Sequence, residues 1–110
     1  MELELFRKLV LEAFDGLPRA FRKRIENVGL EVEEGAMHEA NQLILGRYHG
    51  VPLTLRTSWY GNVLPDRITI YQGSIEQVTQ DPAAMKKLVQ EVIKHEVGHY
   101  FGLEEEDMHD

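Results

Sequence analysis

A chain of 110 residues, 43% apolar, is sized for one domain with a single modest core, here residues 1–110 as a whole. It has no cysteine, which excludes disulfides, thiolate zinc sites and cysteine nucleophiles and suits a reducing compartment. A net charge of −7 disfavours nucleic acid or an anionic membrane as the main partner. Met1-Glu2-Leu3-Glu4 lacks the basic and apolar runs of a signal peptide, and no stretch has the ~18 apolar residues of a membrane span. A cytoplasmic location is therefore expected.

Leu3, Phe6, Leu9, Val10, Ala13 and Phe14 recur at spacings of three and four, which predicts an amphipathic helix over 3–14, stopped by Gly16 with Pro18 beyond. Pro18 is placed to open a second short helix through Phe21 and Ile25 to about Asn27. Arg19, Arg22, Lys23 and Arg24 form its solvated face. Val28, Leu30 and Val32 alternate with Gly29, Glu31 and Glu33 as in a half-buried strand. Gly35, Gly46 and Gly50 punctuate residues 34–50; His38 to Leu45 is expected as a loop or short helix, with His38 and His49 at the surface or locally bonded. Val51 to Thr57 suits a strand, at an edge because of Pro52.

Ser58-Trp59-Tyr60-Gly61-Asn62 and Leu64-Pro65-Asp66-Arg67 are turn signals, and Ile68-Thr69-Ile70-Tyr71 is the strongest strand signal in the chain. Trp59 reads as a lid on the core, whereas Tyr60 serves equally as lid or cleft wall. Ser74-Ile75-Glu76-Gln77 has the form of a capping box opening a short helix. Asp81 is placed to cap, and Pro82 to begin, a last helix reaching about Phe101. Ala84, Leu88, Val92, His95 and His99 lie along one side of it, a stripe that would bring both histidines to where the helix meets the core.

That helix carries His95-Glu96-Val97-Gly98-His99. Histidines four apart on a helix share one face, so both rings can reach one ion, and the intervening Glu96 suits a general base acting on a metal-bound water. Gly102 permits a sharp turn at the helix end, and the chain beyond it can return an oxygen ligand. Glu105, three residues on, is the first candidate; Glu104, Glu106, His109, His38 and His49 stay open. Two histidines and a carboxylate leave a tetrahedral zinc one position for water, as in a catalytic site. Tyr60, Tyr71, Arg67 and His109 are candidate donors to a substrate oxyanion. The alternative is an ordinary amphipathic helix with incidental histidines.

The segment His-Glu-Val-Gly-His-Tyr-Phe-Gly-Leu-Glu-Glu-Glu-Asp, with Gly50-Val51-Pro52-Leu53-Thr54, Ser58-Trp59-Tyr60-Gly61 and Leu64-Pro65-Asp66-Arg67-Ile68-Thr69-Ile70-Tyr71 before it, resembles the small bacterial zincin-like metallopeptidases. The likeness runs from about Pro18 onward. It implies a minimal α+β zincin fold, a small mixed β-sheet packed by helices with the active-site helix last. It also implies one Zn²⁺ per chain held by His95, His99 and the acid at Glu105, with Glu96 as base. The expected activity is hydrolysis of peptide bonds in a peptide or small protein, with Tyr60, Arg67 and Tyr71 as candidate substrate-binding residues. A non-catalytic, zinc-dependent peptide-binding module on the same fold is the alternative.

Overall fold

A computed structural model describes residues 1–50 and 66–101, without the side chains of His99, Tyr100 and Phe101. The chain runs α1 (Leu3–Asp15), α2 (Arg19–Arg24), β1 (Gly29–Glu33), β2 (Met37–Glu39), β3 (Gln42–Ile44), β4 (Gly46–His49), β5 (Arg67–Tyr71), α3 (Gln72–Val78) and α4 (Pro82–Phe101). Strands order β1-β5-β4, with β1 parallel and β4 antiparallel to the central β5. This is the small mixed sheet with packing helices expected of an α+β fold. The strand expected at 51–57, the turns through Pro65, and Tyr60 lie outside the described residues.

Burial follows the apolar spacing. Phe6, Val10 and Ala13 of α1 meet Met85, Val89, Ile93 and Val97 of α4, with Ile68 and Ile70 of the sheet beneath and Ile25 and Ile75 closing the ends. Gln90 adds a polar tie, its Nε2 donating to the Ala13 carbonyl at 2.9 Å near the end of α1. α4 begins as its sequence predicts: Asp81 Oδ2 accepts from the Ala84 amide at 2.9 Å, and Pro82 needs no partner for its nitrogen. No helix among the described residues is long and apolar enough to cross a membrane.

Three expectations are corrected. Residues 37–44 form neither loop nor helix but the antiparallel hairpin β2–β3, turning at Ala40 and Asn41 with φ of 49° and 64°. Two left-handed residues match the twist of a two-residue hairpin, and alanine there gives no sequence cue. Ser74 opens no helix. It lies inside α3, and its hydroxyl accepts from the Met37 amide at 2.9 Å, tying the hairpin to α3. The stripe Ala84, Leu88, Val92, His95 is not the core side of α4. Met85, Val89, Ile93 and Val97 are, a shift of one residue or about 100° around the axis. Ala84 and His95 are exposed and Leu88 half-buried, with only Val92 shared between the two sides.

Gly46 sets how closely β4 approaches α4. A Cβ there would lie 2.6 Å from Val92 Cγ1, 3.1 Å from the Thr69 carbonyl oxygen and 3.3 Å from Ile70 Cδ1. Gly46→Ala should therefore cost about 1–3 kcal/mol in overpacking, read as a lower urea midpoint at unchanged slope. Val92→Ala in the same chain should recover part of the loss, so the two substitutions should be less than additive. An unshifted midpoint for Gly46→Ala would show that the contact yields freely.

Candidate functional site

His95 and Glu96 sit on α4 where it passes the side of β4 that faces away from β5. The Tyr71 amide donates to the Leu45 carbonyl at 3.0 Å, and with the register Gly46↔Ile70 and Arg47↔Thr69 this assigns Arg47 to the bonded pairs. Gly46 and Tyr48 then direct their main-chain groups away from β5. The Tyr48 amide reaches out from that side and donates to Glu96 Oε1 at 3.1 Å. Tyr48 is also fixed through its hydroxyl, which donates to Asp66 Oδ2 at 2.8 Å, while the Asp66 carbonyl accepts from the Gly29 amide of β1 at 2.9 Å. Asp66 is 5% exposed. Through it the first strand of the sheet is linked to the carboxylate on the last helix.

Beside Glu96 lies a hollow of about 470 Å³. Leu43, Ile44, Leu45 and Gly46 form one wall, and Leu88, Glu91, Val92, Lys94, His95 and Glu96 the other. The wall is apolar toward the hairpin and charged toward the helix. Leu88, Val92 and His95 of the stripe expected in the core thus line this hollow, and Ala84 does not. Arg47 pairs with Glu39, which together with weaker influence from Tyr71 and Glu96 raises its guanidinium pKa above the usual arginine value.

Of the residues singled out by sequence, His95 and Glu96 come together at this hollow. His99 follows one turn later, about 6 Å along the axis, in a helix that continues to Phe101. Its side chain, Tyr60, Glu105 and His109 lie outside the described part of the chain. Arg67 and Tyr71 are not in the hollow. Arg67 Nε is 3.2 Å from Glu31 Oε2 on β1, and Tyr71 is 4% exposed at the end of β5. His38 is exposed on β2 and His49 half-buried on β4. Among the described residues no three His, Asp or Glu side chains are grouped to hold a metal. Tyr48 and Asp66 escaped the sequence reading, because Tyr48 acts on Glu96 through its main chain, which leaves no side-chain signature.

Among the described residues the hollow offers one imidazole, the exposed His95, of a type that zinc accepts, beside the carboxylate of Glu96, which a main-chain amide already orients. The profile of the zincin-like metallopeptidase family matches residues 24–110. No curated protein matches. Among solved structures, the chain is similar to a conserved hypothetical protein from Thermo thermophilus, at a TM-score of 0.66 and 23% identity over 92% of this chain and 94% of that one. At that identity the likeness concerns the fold. The match to the profile spans the sheet, the hairpin and the whole of α4, and the chain belongs to the zincin-like metallopeptidase family.

Proposed function

We propose that the chain is a zinc-dependent hydrolase of peptide bonds, with Glu96 as general base and His95, His99 and Glu105 as metal ligands. The observation that carries the reading is the position of Glu96, one residue past His95, at the head of an open hollow and held by the Tyr48 amide. Zinc, when bound, would acidify a water and polarise the substrate carbonyl. Glu96 takes the proton of the attacking water and passes it to the leaving amine. The Tyr48 amide fixes one carboxylate oxygen and leaves the second for the proton. A main-chain donor on a strand costs no side-chain entropy to position. Leu43, Leu45, Leu88 and Val92 offer an apolar side chain of the substrate a place beside the bond to be cut.

Zinc should bind once per chain and be released on acidification, because coordination needs unprotonated imidazole nitrogens. A His95→Ala/His99→Ala double variant that still retained stoichiometric zinc would refute the site. Glu105→Ala should weaken zinc binding more than Glu104→Ala or Glu106→Ala, by competition with a chelating dye. Equal losses in the three would move the third ligand elsewhere.

Glu96→Gln should keep fold and zinc while slowing cleavage of an unfolded protein substrate by about 10²–10⁴. Zinc-dependent peptide binding with no cleavage by the unaltered chain would favour the non-catalytic module instead. Set against Tyr48→Phe, which removes only the hydroxyl bond to Asp66, Tyr48→Pro removes in addition the amide that holds Glu96, without removing a bond to β5. It should lower the turnover rate below that of Tyr48→Phe while leaving zinc affinity unchanged. Equal rates in the two would show that the bond does not position the base.

A further inference from the structure

The hollow beside His95 and Glu96 adjoins another. A second cavity of about 390 Å³ is lined by Val78, Thr79, Ala84, Lys87, Leu88 and Glu91, so Leu88 and Glu91 are common to both. Each volume is within the ~300–1,000 Å³ of ordinary ligand sites. The second cavity is apolar for a surface feature: Val78, at the end of α3, is 55% exposed, and Ala84 is exposed beside it. Lys87 and Glu91 stand at its margin with opposite charge, so it selects no net charge in what it holds.

Ala84, Leu88, Glu91 and His95 follow one another along a single line of α4. Ala84 to His95 is eleven residues of helix, about 16 Å at 1.5 Å per residue. An extended chain covers that distance in about five residues, and because its side chains alternate between faces, the widest pair that both turn to the helix within it is four apart, about 14 Å. We infer that the site takes an extended polypeptide rather than a dipeptide or small amide, and anchors in the cavity formed by Val78, Ala84 and Leu88 an apolar side chain four residues from the one held beside the bond at Glu96. This rests on the peptide-hydrolase reading and narrows its substrate class. The occupant is argued from continuity: the two cavities meet at Leu88 and Glu91, and along the line that joins them Ala84, Glu91 and His95 are exposed and Leu88 is half-buried.

The test uses three fluorescein-labelled, end-capped twelve-residue peptides of glycine, serine and threonine. One carries a single central leucine; the others carry a second leucine four residues before or after it, the spacing that returns both side chains to one face of an extended chain. Binding is measured by fluorescence anisotropy on the zinc-loaded Glu96→Gln chain. One of the two-leucine peptides should bind at least about tenfold tighter than the single-leucine peptide, as burial of one more leucine side chain allows. Ala84→Glu should remove that gain, and the substitution suits the first turn of a helix, so folding is retained. Val78→Ser should reduce it. The inference is overturned if neither second leucine adds affinity, if no peptide binds, or if the gain survives both substitutions. Cleavage of unfolded protein by the unaltered chain is scored separately. Cleavage without an anchor effect removes the anchor alone, and an anchor effect without cleavage removes the hydrolase reading while keeping the groove.

Discussion

The candidate site depends on how closely β4, an edge strand among the described residues, approaches α4. Gly46 of β4 rests on Val92 of α4, and two residues along the strand the Tyr48 amide meets Glu96, four residues along the helix. Two strand residues advance about 6.8 Å and four helical residues about 6 Å, so the two contacts fall into step. A side chain at Gly46 would wedge the strand away, and Glu96 would lose its anchor with no change at either residue of the bond. Packing and chemistry are here one constraint.

The same constraint explains why α4 has two working sides. Its core side, Met85, Val89, Ile93 and Val97, is covered by α1 and the sheet. Its other side, Ala84, Leu88 and His95, is displaced by one residue and faces the hairpin wall of the hollow or open surface. Val92 borders both, touching Gly46 and lining the hollow. A histidine pointing into the core would be desolvated and closed to substrate, whereas the observed rotation leaves His95 exposed at a cavity while its neighbours hold the helix in place.

Charge is arranged locally. Arg47 pairs with Glu39 across the hairpin and Arg67 with Glu31 across the sheet, both at exposed positions. Such pairs add little stability each, but they give these arginines partners away from the hollow. Arg47 also feels the charge of Glu96, which makes β4 the source of both a main-chain donor and a nearby cation.

The sequence by itself determined the elements whose signals are local. Apolar spacing marked α1 and the length of α4, alternation marked β1, the run Ile68-Thr69-Ile70-Tyr71 marked β5, and Asp81-Pro82 marked the start of α4. It also singled out His95 and Glu96, because the chemistry proposed for them depends on spacing along one helix. What only the tertiary structure decided involves partners far apart in the chain. The stripe through Ala84, Leu88 and His95 is apolar enough to pass for a core side, and only the packing of α1 and the sheet shows that the neighbouring stripe is the buried one. The hairpin turn at Ala40-Asn41 lacks glycine, and Ser74 resembles a cap until Met37 is seen to claim its hydroxyl. The hold of Tyr48 on Glu96 spans 48 positions and is made by a main-chain amide that every residue but proline possesses, so no side-chain pattern could announce it.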